Sequence, residues 1–165
     1  GASGDKGTDR DAEAMTYADI LTTRATLGGG YQAAGDLLMV VSPIVMTKYL
    51  LQLTETKTLD VMGQAAGILN GSIGKLGGMD VLVSGFMTDD LNASGVFDGV
   101  TETKTGYVIV HRPSWRMGNY KAHTVDVDRE IVSGTVEVVA TRRSCLIDMS
   151  GTAKSVAYGY NVATS

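Results

Sequence analysis

The stretch DLLMVVSPIVMTKYL, residues 36–50, carries the clearest local signal in the chain. Leu37 to Val41 form a short, continuous apolar run of strand length, as expected for a strand buried on both faces. Ser42 and Pro43 follow at once. Serine is a strong helix N-cap, because its hydroxyl accepts an otherwise orphaned backbone N–H. Proline suits the first helical position, where no donor is needed. The spacing therefore predicts a strand over 37–41, a cap at Ser42 and a helix running from Pro43 into the YLLQL segment. A mixed α and β domain follows.

Upstream, DAEAMTYADILTTRATLGGG predicts a helix over 11–27. Met15, Ala18, Leu21 and Ala25, with the neighbouring Ile20 and Leu27, make a loose apolar stripe, Asp11 or Thr16 caps the start, and Gly28-Gly29-Gly30 ends it. The first eleven residues are small and charged, and alone would wander unless a neighbouring molecule held them. Downstream, residues 59–66 give an ambiguous short helix, weakened by Gly63 and Gly67.

GSIGKLGGMDVLVSGFM, residues 71–87, places glycines around a lysine and raises the question of a phosphate cradle. A phosphate-binding loop reads G-x-x-x-x-G-K-[ST] and opens a helix, whose N-terminal N–H groups face the anion. Here Leu76 replaces the hydroxyl residue, Leu69 stands where the first glycine should be, and a strand over 79–84 follows. Tight turns between extended pieces fit better. Beyond lies a long polar loop, 85–105, of the kind that carries contacts or function. A strand over 107–111 comes next. Residues 120–149 then alternate over two or three strands, and 150–165 are small and polar, suiting a tail or edge strand. No internal repeat is visible.

Composition narrows the function classes. The 165 residues are 44% hydrophobic and 19% charged, with 21 glycines, 2 prolines and one tryptophan. The core must rest on aliphatic side chains and methionine. A formal charge of −4 disfavours wrapping a nucleic-acid backbone, whose affinity comes from Lys and Arg. A single cysteine excludes an intrachain disulfide. No apolar run approaches the ~20 residues that span a bilayer, and the start has no signal-peptide core. It also lacks methionine, which is expected of a processed form, an expression remnant or part of a longer protein.

The residues that could do chemistry are scattered. His111, His123 and Cys145 lack the close paired spacing of a zinc site and read as two strand histidines and a small core residue. Asp126 and Asp128 share one face of a strand, and Asp89, Asp90 and Glu130 add further carboxylates. A solvated face or an inter-subunit salt bridge explains them, since the calcium-loop pattern is missing. HRPSWRMGNY groups Arg112, Trp115, Arg116 and Met117, residue types enriched at protein interfaces. A core tryptophan is the plainer alternative. Neither cofactor nor metal is expected, and an enzyme is not. The competing reading is a small metal-dependent enzyme using Asp126, Asp128 and His123.

The order of elements says more than any single motif. Ser42-Pro43, Leu50, Gly71, Ile73-Gly74, Leu76, Gly78, Val81, Val83-Ser84, Tyr107, Ile109, Arg112 and Arg142-Arg143 fall in a sequence that resembles the C-terminal half of tailed-phage major capsid proteins, the Hong Kong phage-type fold. The likeness covers about 16–149. It implies an α+β axial domain, with a central mixed sheet flanked by helices and loops meeting around capsomer axes. The arm, extended hairpin and spine helix of the family are not found in the sequence and would lie upstream. The implied organisation is a flexible or partner-docked segment at 1–15, the axial-type domain at 16–149 and a tail or edge strand at 150–165. The implied partners are copies of the chain in pentamers and hexamers, with scaffolding or decoration proteins as further candidates and DNA only indirectly. No membrane is involved. The implied location is the virion, after assembly in the host cytoplasm. Asp89, Asp90, Lys104, Trp115 and Arg116 are the expected interface residues. A tail or decoration protein is the remaining alternative.

Overall fold

The computed structural model describes residues 7–53, 74–100, 102–130, 132–151 and 154–164, with the side chains of 121–123 and 130 also left aside. The ambiguous helix at 59–66 and the glycine turn at 71–73 lie outside the described residues. The chain divides into two units, Gly1–Arg112 with Ser150–Ser165, and Pro113–Met149.

The first unit is built on a six-stranded mixed sheet. Its strands are β1 (Gly7–Asp9), β2 (Leu37–Val41), β3 (Lys75–Leu76), β4 (Met79–Val83), β5 (Lys104–His111) and β8 (Val156–Ala163), in the order β1-β8-β5-β2-β4-β3. β2 runs parallel to β4 and antiparallel to β5, so the expected buried strand sits inside the sheet. Leu37, Met39 and Val41 are wholly buried. Ser42 Oγ accepts the Val45 N–H at 3.3 Å, and α2 (Pro43–Lys48) begins on the proline. The helix then tightens into a 3-10 turn at Leu50–Gln52, with Val45 and Leu50 in the core.

α1 (Tyr17–Ala25) is shorter than the expected helix over 11–27. Asp11 and Ala12 take φ of 50° and 60°, a left-handed conformation that no α-helix contains. Of the two expected caps the helix uses Thr16, in a capping box. The Thr16 hydroxyl accepts the Asp19 N–H, and Asp19 Oδ2 accepts the Thr16 N–H at 2.7 Å. It ends before the glycine run, which forms a separate 3-10 turn at Gly29–Tyr31. Ile20 and Thr23 are buried, and the Thr23 hydroxyl lies 2.7 Å from the hydroxyl of Tyr107 on β5.

The first and the last described strands both join the sheet. β1 pairs in parallel with β8, Arg10 bridges Asp19 at 2.8 Å, and Asn161 Nδ2 donates to Asp9 Oδ1 at 2.8 Å. Residues 7–10 are thus held by their own chain. β8, expected as a tail or edge strand, lies inside the sheet between β1 and β5. Its small residues are a packing requirement. A Cβ on Gly159 would come within 2.4 Å of the Tyr107 ring.

The lysine-glycine stretch resolves into a hairpin. Gly77 and Gly78, both at positive φ, join β3 to β4 in the two-residue turn that glycine favours. Arg24 Nη1 donates to the Gly77 carbonyl at 2.7 Å, and the Gly35 N–H to the Gly78 carbonyl at 2.9 Å. These contacts account for the turn's carbonyls, and its backbone opens a strand as expected.

The second unit is a two-stranded antiparallel ribbon, β6 (Trp115–Glu130) with β7 (Thr135–Asp148). The expected two or three strands are these two. Register shifts between Asn119 and Lys121 and between Lys121 and Thr124 each place an extra residue on β6.

Candidate functional site

In the first unit, Asp89, Asp90 and Lys104 lie together at the closed base of the 85–103 loop. Leu91 and Lys104 form an antiparallel bridge, with the Leu91 N–H donating to the Lys104 carbonyl at 2.9 Å. Asp90 Oδ1 accepts the Glu102 N–H, and the Thr105 hydroxyl donates to the Thr88 carbonyl at 2.9 Å. Asp89 is half-buried, and its Oδ1 has no hydrogen-bond partner among the described residues.

Above this base the loop is ordered by its own side chains. Asn92 Oδ1 accepts the N–H groups of Ser94 and Val96 at 2.9 and 3.0 Å, and the Asn92 N–H donates to the Val96 carbonyl. Such side-chain turns are what asparagine does best in loops. Asn92 Nδ2 also donates to Asp98 Oδ2 at 3.0 Å, and Asp98 Oδ1 accepts the Val100 N–H. These hydrogen bonds stabilise the carboxylate and lower the Asp98 pKa, the Asn92 bond contributing most. Gly95, at φ 72°, faces Tyr160, and a Cβ there would fall 2.9 Å from the tyrosine Cβ.

This closed loop displays apolar side chains to solvent. Phe86 is fully exposed, and Val96, Phe97 and Val100 are 55–60% exposed. Both phenylalanines of the chain are therefore at the surface, on one loop. A sequence reading that stopped at "polar loop" missed them. The available signal was two aromatics in a stretch rich in Asp, Asn, Ser and Gly, where no core periodicity requires them.

Trp115 and Arg116 belong to the second unit, at the root of the ribbon. Trp115 is half-buried with an indole N–H that has no partner among the described residues, and Arg116 is exposed. They are not core residues. Cys145, expected as a small core residue, is exposed on β7 opposite Gly118. The reason is architectural: β7 pairs only with β6, and among the described residues the ribbon leaves Cys145 exposed.

The metal-dependent alternative gathers little geometry. Asp126 and Asp128 share a ribbon face, in register with Val139 and Glu137. The His123 side chain is outside the described residues. His111 lies in β5, its ring packed edge-on to that of Tyr31 with centroids 5.3 Å apart. No group of three or more metal-ligating side chains occurs among the described residues.

No protein-family model matches the sequence, and comparison with curated protein sequences finds no match. Solved structures do match. A structure from Mycobacterium phage Che8 aligns with 92% of this chain and 53% of its own, with a TM-score of 0.63 at 17% identity. The capsid of cyanophage P-SCSP1u covers 92% of this chain and 48% of its own, with a TM-score of 0.60 at 14% identity. The mature capsid of bacteriophage PhiM1 covers 90% and 49%, with a TM-score of 0.58 at 13% identity. The chain spans about half the length of the chains it matches. Over about nine-tenths of its own length it shares the mixed α+β fold of these phage capsid structures.

Proposed function

We propose that this chain is a structural subunit of a phage shell and associates with copies of itself, without catalytic turnover. The observation that carries the reading is the capsid fold, extending over about nine-tenths of the chain. The 85–103 loop supplies a fitting contact. It is closed at its base, ordered by Asn92 and Asp98, and tipped by exposed Phe86, Val96, Phe97 and Val100. Apolar side chains on a preorganised loop lose little entropy when a neighbour covers them. A contact between unlike surfaces of identical copies closes into a ring when the rotation permits.

In this reading the partners are further copies in pentamers and hexamers, with scaffolding or decoration proteins as additional candidates. The location is the virion shell, after assembly in the host cytoplasm. Asp89, Asp90 and Lys104 shape the loop base, and Trp115 and Arg116 supply contacts from the second unit. The test is light scattering and electron microscopy of the purified protein, beside a Phe86→Ser/Phe97→Ser variant. Rings or shells from the parent, lost in the variant with its circular dichroism unchanged, are the expected result. A monomeric parent at all accessible concentrations would overturn self-association.

A further inference from the structure

We infer that one face of the β6–β7 ribbon is a self-complementary docking surface for the same face of a second copy, laid antiparallel across a two-fold axis. The inference rests on the shell reading for the presence of many copies, and concerns how copies are joined outside the 85–103 loop.

The register assigns the faces. Directly paired residues of an antiparallel ribbon project to the same side, and alternate pairs to opposite sides. One face carries Arg129 with Val136, Val127 with Val138, Val125 with Ala140, and Met117 with Leu146. The other carries Asp128 with Glu137, Asp126 with Val139, Thr124 with Thr141, then Arg143, Gly118 with Cys145, and Arg116 with Ile147. On this second face the charge is sorted along the length. Asp126, Asp128 and Glu137 lie toward the turn, and Arg143 and Arg116 toward the root. All five side chains are exposed, and none makes a salt bridge to another described residue.

A surface sorted in this way repels a parallel copy and attracts an antiparallel one. The Thr124–Thr141 level, where the two hydroxyls lie 2.9 Å apart, separates the acidic part from the basic part. An axis through that level sets the Asp126–Val139 level of one copy opposite the Arg143 level of the other, because Val139 and Arg143 are equally distant from Thr141. The same axis sets the Asp128–Glu137 pair opposite Gly118 and Cys145, the smallest pair on the face. That low point is flanked by the Arg143 and Arg116 levels, so two carboxylates enter a gap lined by two guanidiniums. The acidic and basic levels at Glu137 and Arg143 are about 20 Å apart at strand rise, beyond the ~8 Å Debye length at physiological salt. Within one copy the two ends therefore do little to neutralise each other. An isologous contact of this kind joins two copies, where unlike contacts make rings.

The experiment uses charge reversal in the whole chain, read by sedimentation equilibrium on Phe86→Ser/Phe97→Ser protein so that the loop contact is suppressed. A turn-reversed protein carries Asp126→Lys, Asp128→Lys and Glu137→Lys. A root-reversed protein carries Arg116→Glu and Arg143→Glu. Each alone is expected to lose pairing by about tenfold or more, since like charges then face each other. An equimolar mixture of the two should pair again, because acidic ends then meet basic ends throughout. One chain carrying all five changes should also pair with itself. Pairing that is indifferent to both reversals, or not restored by mixing, would overturn the inference. So would pairing abolished only by Val127→Asp/Val138→Asp, which would place the contact on the opposite face. Rings or shells that form normally from the reversed proteins with intact loops would sink the ribbon contact and leave the shell reading standing.

Discussion

β2 and the valine face of the distal β6–β7 ribbon present similar aliphatic side chains and end in opposite surroundings. Leu37, Met39 and Val41 of β2 are wholly buried, whereas Val125, Val127, Val136 and Val138 are 56–61% exposed. The difference is the number of neighbours. β2 has β4 on one side, β5 on the other, and a core of Ile20, Val45, Leu50 and Tyr107. The ribbon strands have each other, and a two-stranded hairpin alone is marginal in water. Apolar sequence thus drives folding where layers exist to cover it, and otherwise forms a surface available to another molecule.

The largest test of this contrast truncates a core residue. Met39→Ala is expected to lower unfolding free energy by about 2–5 kcal/mol, the usual cost of a large-to-small change in a filled core. Denaturant titration followed by circular dichroism measures it. A loss below about 1 kcal/mol would mean that β2 is not at the centre of the stable unit.

A second test overfills the same sheet. Tyr107 lies against Gly159, and any Cβ at 159 must displace its buried ring. Gly159→Ala should cost about 1–3 kcal/mol, typical of added volume in a close-packed interior. Pairing it with Tyr107→Leu should recover part of the loss beyond additivity, which a double-mutant cycle detects.

Tyr107 also gives a pH signature. Its hydroxyl lies 2.7 Å from Thr23 Oγ1 and donates to the Asp19 carbonyl at 3.3 Å. Burial raises its pKa above the ordinary 10.0, outweighing the Thr23 bond that lowers it. The folded state therefore keeps the phenol protonated where the unfolded chain would lose the proton. Its contribution is fully present below pH 10 and is lost as pH rises through the raised folded value. Tyr49, raised by the same desolvation, acts in the same direction. Tyr107→Phe should cost about 1–2 kcal/mol at neutral pH through the lost hydrogen bonds. It should also flatten the alkaline decline in stability. An unchanged decline would remove Tyr107 as its source.

Local chemistry made some of this structure legible in advance. Leu37–Val41, Ser42 and Pro43 fall where expected because strand, cap and first helical turn depend on adjacent residues. Thr16, one of the two expected caps, does start α1, but the range over 11–27 begins too early because Asp11 and Ala12 adopt left-handed backbone while holding residues 10 and 12 against β8, a non-local demand. β8 was misread for a similar reason. Its glycine and small residues look like a tail until Tyr107, 52 positions earlier, is seen to need the space at Gly159. The polar loop was recognised, and the exposure of Phe86 and Phe97 was not, because hydrophobicity alone places aromatics inside. Cys145 failed on the same assumption. The alternation in β7 was read correctly as strand, but pattern cannot say whether a second layer exists.

The smallest expected effect is the sharpest check on the contrast. Val138→Thr on the ribbon keeps the β-branched shape and strand propensity, and changes only apolar surface to polar. With Val138 61% exposed, the loss in a dilute, unassociated sample should stay within about 0.5 kcal/mol, as for ordinary surface changes. Hydrogen exchange extends the test without mutation. Amides of β2 should exchange only through global unfolding, while those near Val127 and Val138 should exchange through a far cheaper local opening. If Val138→Thr instead cost as much as a core truncation, or the ribbon amides were as protected as those of β2, the valine face would be covered in the folded chain. The ribbon would then be a second core rather than an exposed surface, and the difference from β2 would disappear.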